Sequence, residues 1–296
     1  MLLRAGVALQ LTGYNLETGI TVHVGAQIQE AGSCVMPARL FFDIVRKLPD
    51  EMVSITVDHK QQVSIRAGAA FFQITAMDSE DYPELPDVNG KSGVTMPQSA
   101  LKAMISGTIF SVSENQARPI QTGCLMEVTE DSVTMVAVDS FRLARRTWHT
   151  ENAANHTLKF VVPAAGLKEI ERILEDSDEP VTFTLGDKHI LFSIGDALLV
   201  SRVLEGEFID WRRVVPTNCG TVLTANVAEL TSSIERVSLI ISEKVKSPVR
   251  CVFGDNMADF RTANTIGSAH DTCSIAGNGG ELEIDHLEDG VLYVKL

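Results

Sequence analysis

A segment that appears twice constrains this chain more than any other feature. Val35-Met-Pro-Ala-Arg-Leu-Phe-Phe-Asp-Ile-Val-Arg-Lys-Leu48 is echoed by Val161-Val-Pro-Ala-Ala-Gly-Leu-Lys-Glu-Ile-Glu-Arg-Ile-Leu174. Each copy runs on through a hairpin-like stretch and closes on an aromatic, acidic, proline-ended signature. These are Asp81-Tyr-Pro-Glu-Leu-Pro86 and Glu207-Phe-Ile-Asp-Trp-Arg-Arg-Val-Val-Pro216. A chain that repeats a whole supersecondary unit is built from similar modules, which restricts it to architectures assembled from one repeated piece.

A second repeat interleaves with the first. The stretch from Met96 to Glu114 matches that from Thr224 to Glu243, pairing Leu101 with Leu230, Ile105 with Ile234 and Phe110 with Leu239. Both stretches carry apolar residues at helical spacing and then switch to a strand-like pattern. Downstream, Thr134-Met-Val-Ala-Val-Asp139 resembles Asp259-Phe-Arg-Thr-Ala-Asn264 and also Gln10-Leu-Thr-Gly-Tyr-Asn15. Three strands thus end in a turn-forming Asp or Asn. The expected organisation is a first domain over residues 1–92 lacking its opening unit, a complete middle domain over 93–218, and a third domain over 219–296 lacking most of its closing unit.

The local patterns give an α+β fold, with short helices packed on antiparallel sheets. Strands are expected at Met52–Val57, Gln62–Arg66, Phe71–Thr75, Pro180–Leu185, His189–Ile194 and Ala197–Val203, where β-formers alternate or cluster. Gly186-Asp187 and Gly195-Asp196 supply tight turns between them. Four short helices are expected at about 37–48, 97–109, 163–175 and 225–239. Pro37, Pro97 and Pro163 sit where a first-turn proline is tolerated. The 296 residues leave room for two or three domains, and 45% hydrophobic content is enough for real cores. No apolar run approaches the ~20 residues of a membrane span, and no membrane partner is expected. Met1-Leu-Leu-Arg lacks the layout of a signal peptide. Cys34, Cys124, Cys219, Cys251 and Cys273 are odd in number and scattered, which predicts reduced thiols and a cytoplasmic setting.

Pro119-Ile-Gln-Thr-Gly123, Val138-Asp-Ser-Phe-Arg-Leu-Ala144 and Gly206-Glu-Phe-Ile-Asp-Trp-Arg-Arg-Val-Val-Pro216, taken with the repeats, resemble the bacterial DNA polymerase III beta subunit family, the sliding clamps. The resemblance runs from the first residues to about Ile284. It implies clamp modules in three similar domains per protomer and a homodimer closed head to tail into a ring around duplex DNA. It implies a non-catalytic processivity factor for the replicative polymerase, a function in DNA replication and no cofactor. Polymerase, clamp loader and repair-factor peptides are the implied partners, entering a cleft between the second and third domains. The family continues beyond the match into a helix and further strands; here Gly280-Glu-Leu-Glu-Ile284 runs directly into residues 285–296, of which Val291–Leu296 resembles the family's closing strand.

By the resemblance, the peptide cleft falls on Gln121, Val138, Ser140, Phe141, Arg142, Leu143, Ile209, Arg213 and Val214. Arg142, Leu143, Arg213 and Val214 match the family pattern. Val138 replaces its Thr, Ser140 its Gly, Gln121 its frequent Leu and Ile209 its frequent Pro. The bland reading of Leu143 and Val214 is ordinary core. The Gln121 and Ser140 changes predict a more polar floor and an altered peptide preference.

DNA contact in such a ring is electrostatic and independent of sequence. The candidates are Arg39, Arg46 and Lys47 on the first helix, Lys102 on the second, Lys168 and Arg172 on the third, Arg236 on the fourth, and Asn115, Gln116 and Arg118 in a loop. Against them stands the reading of a solvated, mixed-charge helix face, strongest for Lys168 and Arg172 among Glu169, Glu171 and Glu175. A net charge of −14 disfavours bulk attraction to nucleic acid and leaves a local basic face as the route. The dimer interface is expected at Phe72 and Ile74 on a strand and at Ile240 and Ile241 beside Ser242-Glu-Lys244.

Other chemistry is weakly represented. The seven histidines form no metal-spaced cluster, so no metal is expected. No phosphate-binding loop or nucleophile elbow occurs. Two other classes remain open: a hydrolase or transferase, which a close approach of Asp139, Ser140 and His149 would support, and a clamp-like peptide scaffold that does not encircle DNA.

Overall fold

The computed structural model describes residues 1–49, 51–89, 93–150, 157–216, 222–241, 247–254, 256–278 and 282–284. The repeated sequence folds into repeated strand pairings. The chain opens with β1 (Leu2–Ala5), β2 (Leu9–Tyr14), β3 (Thr18–Val24) and β4 (Gly32–Val35), then α1 (Ala38–Val45), β5 (Ser54–Val57), β6 (Gln62–Ala67) and β7 (Ala70–Thr75). Next come β8 (Gly93–Pro97), α2 (Gln98–Ser106), β9 (Gly123–Val128), β10 (Ser132–Val138), β11 (Leu143–His149) and β12 (Leu158–Pro163). They are followed by α3 (Ala164–Ile173), β13 (Pro180–Leu185), β14 (His189–Ile194), β15 (Ala197–Arg202) and α4 (Trp211–Val214). The last described elements are β16 (Val222–Ala225), α5 (Val227–Ser238), β17 (Arg250–Phe253), β18 (Met257–Ala263), β19 (Ser268–Asn278) and β20 (Leu282–Ile284).

The same four-strand order occurs three times: β4-β1-β2-β3, β12-β9-β10-β11 and β20-β17-β18-β19. All of these neighbours are antiparallel. The hairpins β5-β6-β7 and β13-β14-β15 repeat as well. One pairing joins the first copy to the second: β15 lies against β3 in register Ala197↔Val22 to Ser201↔Thr18, producing a single sheet of eight strands. That joint helps place residues 1–209 in one compact unit, Met1–Ile209, and leaves Asp210–Leu296 as a second.

Why the helices start where they do is plain from the sequence. α1, α2 and α3 each follow a proline, Pro37, Pro97 or Pro163, which occupies the N-cap with extended ψ and no side-chain cap. The expectation had placed these prolines in the first turn. Each instead ends the preceding strand or loop, and the fixed φ suits both neighbours. α5 uses the other device: the Asn226 side chain accepts from the Ala228 and Glu229 amides at 3.0 and 3.2 Å. The four helices stand where expected, each a little shorter. The four-residue α4 was not foreseen, because one turn is too short to show a period.

Each copy buries its own apolar face. In the middle copy, Leu101, Met104 and Ile105 of α2 and Leu167 and Ile170 of α3 join Met126, Met135, Phe160, Phe183 and Phe192 from the sheets. Phe183 packs edgewise on Phe160, with centroids 6.2 Å apart, and at 5.8 Å from Phe192. A smaller core gathers Leu3, Met36, Phe41, Ile44, Val63 and Ile65 in the first copy. In the second unit the core is Val237, Phe253, Ala258, Phe260, Cys273 and Ile275. Among the described residues the cysteines are free thiols, with Cys34, Cys124 and Cys273 buried and Cys251 half-buried; Cys219 lies outside the described residues. No helix of the described residues is long and apolar enough to cross a membrane.

Candidate functional site

The residues from Val138 to Leu143 form a hairpin end built by one carboxylate. β10 and β11 pair as far as Val138↔Leu143. Asp139 then accepts from the Phe141 and Arg142 amides at 2.8 and 2.9 Å and from the Arg142 guanidinium at 2.9 Å. The Asp139 amide returns a bond to the Arg142 carbonyl at 3.0 Å. Burial alone would raise the Asp139 carboxyl, but these donors outweigh it and hold it below its ordinary value. The turn presents Ser140, Arg142 and Phe141 outward, the phenyl ring 77% exposed, over a buried Val138 and a half-buried Leu143.

Gln121 sits in a short 3-10 turn, Pro119–Thr122, directly before β9. Its backbone is fixed by the Arg118 carbonyl at 3.0 Å and the Ser113 amide at 2.8 Å. The residue is 9% exposed, yet its side-chain amide has no hydrogen-bond partner among the described residues. Ile209 is half-buried next to a buried Phe208. In the second unit, Arg213 lies on α4 and pairs with Asp210 at 3.0 Å, while Val214 is 55% exposed. That exposure excludes the ordinary-core reading for Val214.

The hydrolase reading fails on geometry. The β10–β11 register puts His149 opposite Ser132, six residues along the hairpin from the Val138↔Leu143 end. That is roughly 20 Å at ~3.3 Å per residue. Asp139 and Ser140 therefore cannot share a triad with His149. Among the described residues no group of three His, Cys, Asp or Glu is placed to hold a metal ion.

The basic candidates divide by what they already hold. The Lys102 ammonium donates to the Leu174 carbonyl at 2.9 Å, capping the end of α3. Arg172 pairs with Glu169 at 2.7 Å, and Arg236 is bound by Asp271 and by the Ser233 hydroxyl. Arg46 lies over the Phe42 ring at 5.6 Å. Arg39, Lys47, Lys168 and Arg118 are exposed and make no ion pair among the described residues. Asn115 uses its side chain to hold the Ala117 amide at 2.9 Å, and Gln116 is exposed beside it.

The interface candidates are also on the surface or near it. Phe72 is exposed and Ile74 half-buried on β7, an edge strand of its sheet. The Ile240 carbonyl accepts from the Asn264 side chain at 2.9 Å, and Ile240 and Ile241 follow α5. The charged rim Ser242-Glu243-Lys244 lies outside the described residues, as does Val291–Leu296.

Comparison with known proteins bears on the fold and the family. The family described as DNA polymerase III beta subunit, N-terminal domain, matches residues 2–86, and its central-domain counterpart matches residues 95–210. The beta sliding clamp of Staphylococcus epidermidis is 29% identical over 284 residues, covering 93% of this chain and 75% of that protein. The Staphylococcus aureus beta sliding clamp is 29% identical over 294 residues, 96% of this chain and 75% of that protein. A putative DNA polymerase III beta subunit from Eubacterium rectale superposes with a TM-score of 0.90 at 30% identity, over 96% of this chain and 78% of that one. The DNA polymerase sliding clamp from Bacillus subtilis superposes at 0.88 with 27% identity, over 95% and 77%. With the repeated strand order and matches that span both copies of the repeat, the chain belongs to the DNA polymerase III beta subunit family, the sliding clamps.

Proposed function

We propose that this protein is a DNA sliding clamp: a non-catalytic processivity factor of the replicative polymerase that acts in the cytoplasm as a homodimeric ring around duplex DNA. The observation that carries the reading is the joint between β3 and β15, where one copy of the module meets the next edge to edge. β7 is the first copy's counterpart of β15 and stands at the edge of its sheet. β19 is the counterpart of β3; its last residues, Ile275–Asn278, hold β16, and its stretch Ser268–Ser274 is the part a partner strand would meet. The same joint made between two chains, β7 of one against β19 of the other, is a head-to-tail contact, and such contacts form rings when the rotation closes. Phe72, Ile74, Ile240 and Ile241 are the proposed apolar part of that contact. The three-domain division at 1–92, 93–218 and 219–296 belongs to the same proposal, supported by the strand order that recurs three times.

Partner peptides from polymerase, loader and repair factors are proposed to bind at Gln121, Val138, Ser140, Phe141, Arg142, Leu143 and Ile209, with Arg213 and Val214 as further contributors. The chemistry is an apolar floor beneath an arginine that can orient a backbone carbonyl or carboxylate. Duplex DNA is proposed to meet the helix faces, where Arg39, Lys47, Lys168 and the loop residue Arg118 are uncommitted among the described residues, with Arg46, Lys102, Arg172, Arg236, Asn115 and Gln116 completing the set. A chain of net charge −14 gains little from free binding, since nonspecific association is already weak at Kd ~10⁻⁴–10⁻⁶ M. A ring needs no such affinity, because escape requires opening.

The test is retention on DNA of different topology. The protein, loaded by its clamp loader, should stay on nicked circular DNA through a high-salt wash and be lost once the circle is cut. Equal loss from circle and line would instead support a scaffold that binds peptides without encircling DNA.

A further inference from the structure

We propose that the outer edge of β12 is a second peptide-docking site, separate from the hairpin end at Val138–Leu143, and that it takes an extended segment carrying a large apolar side chain beside a basic one. A cavity of about 470 Å³ opens there, entirely within the first unit. Its floor includes Leu125, Val161, Leu204 and Phe208, and its rim carries Asp187 and Glu207.

The first copy of the repeat shows why the cavity exists. There the edge of β4 is covered by the chain itself: Val35 and Met77 exchange both backbone bonds, at 2.9 and 2.7 Å. Two residues out along the same register, the Ser33 and Ser79 hydroxyls meet at 2.7 Å and close the edge. In the second copy the bridge is Val161↔Leu204, and among the described residues only one bond is made, from the Leu204 amide to the Val161 carbonyl at 2.9 Å. Two residues out, Lys159 stands where Ser33 stood and Gly206 where Ser79 stood. Gly206 has φ of +129° and no side chain to contribute, so no clasp forms.

The result is a strand edge whose backbone groups at Lys159 are unclaimed among the described residues. Val161 turns its carbonyl away from β9 toward Leu204. The two-residue alternation of a strand turns the Lys159 amide and carbonyl to that same side. An unpaired edge beside a pocket is the arrangement that accepts an added strand: backbone bonds hold the peptide and the pocket selects a side chain. Charge selects the neighbour. The Lys159 ammonium lies 3.6 Å from Glu127, which leaves Asp187 and Glu207, both exposed, as the net charge of the rim. A basic residue next to the apolar anchor complements them.

The test uses the full chain and the peptide acetyl-Thr-Arg-Leu-Thr-Val-Arg-amide, titrated while the amide resonances of Lys159, Val161 and Gly206 are followed by NMR. These resonances should move together. Methylating the peptide nitrogens that pair with the edge should weaken binding roughly tenfold. Lys159→Ser with Gly206→Ser, which restores the clasp of the first copy, should abolish it. A serine at the positive φ of Gly206 strains the backbone, so a second variant is needed. Asp187→Lys with Glu207→Lys changes only exposed side chains and should weaken the basic peptide roughly fivefold for each charge pair lost. The same variant should bind the Glu-for-Arg peptide better. Shifts confined to Val138 and Leu143, or affinity unmoved by both double variants, would overturn the proposal. So would a wild-type protein that does not bind, in which case Lys159 serves only to guard an edge.

Discussion

At the scale of single residues, the most telling side chain is Gln121. It is buried, yet 9% of its surface stays open to water, and its amide has no hydrogen-bond partner among the described residues. An apolar peptide side chain seated on Gln121 strips that water and gives no bond in return, at a cost of about 1–3 kcal/mol. Gln121→Leu should therefore tighten a peptide with Leu and Phe anchors by roughly fivefold or more, and Leu143→Ala should weaken it by about 1 kcal/mol or more through lost apolar contact. Calorimetry of wild type and both variants with one peptide checks this; unchanged affinity in Leu143→Ala would place the cleft elsewhere. Asp139 makes a pH prediction. Its folded-state pKa is depressed below the unfolded value, so its contribution to the turn is present above the unfolded pKa and is lost as pH falls through the folded one. The Phe141 and Arg142 amide resonances should shift across that acid window in wild type and stay flat in Asp139→Asn. Cys124 makes another. Burial pushes its thiol up to about 12, so a thiol reagent at neutral pH should modify it only when the middle copy unfolds.

Elements show what the sequence could and could not disclose. Helix positions were legible because proline or Asn226 marks each start and apolar residues at Leu101, Ile105, Leu167 and Ile170 mark the buried face. Hairpins β13-β14 and β14-β15 were legible because alternation and Gly186 or Gly195 mark their limits, the latter at φ of +52°. The β3·β15 joint was not legible. It links residues about 180 apart, and an outer strand reads the same whether it borders solvent or another strand. At the candidate site, the Asp139 turn followed from its residue type, but the bonds of Lys102 to α3 and of Arg236 to Asp271 depend on tertiary neighbours that no spacing reveals. The opening at Gly206 was also missed, since a missing clasp leaves no pattern within its own segment. The strand joint carries the prediction for this scale. Charge replacement at Ile240 and Ile241, or at Phe72 on β7, should give folded monomers by light scattering with unchanged circular dichroism. Dimers that persist would exclude β7 and the end of α5 as the contact.

For the whole molecule, separate cores imply separate stabilities. The first unit contains both the large core around Phe183 and the smaller one around Ile65, joined through the eight-stranded sheet. In the second unit, Phe253 and Phe260 meet edgewise at 6.2 Å in a core of six buried residues among those described. A unit with its own core unfolds on its own unless a large apolar interface couples it to its neighbour. Thermal or urea unfolding should then show two transitions, with the second unit melting first because its core is the smaller among the described residues. Phe260→Ala and Phe183→Ala assign them. Each truncation of a buried phenyl ring should cost about 3–5 kcal/mol. If the units are independent, Phe260→Ala moves only the earlier transition and Phe183→Ala only the later one. Dimer formation adds a concentration dependence, since any contact made only by folded chains raises the transition that it protects. A contact through β7 and β19 uses both units, so dilution should lower both transitions together, whereas a contact confined to one unit would lower one alone. Differential scanning calorimetry over a hundredfold range of protein concentration distinguishes the two. A single transition that both substitutions shift equally would show that the units fold as one.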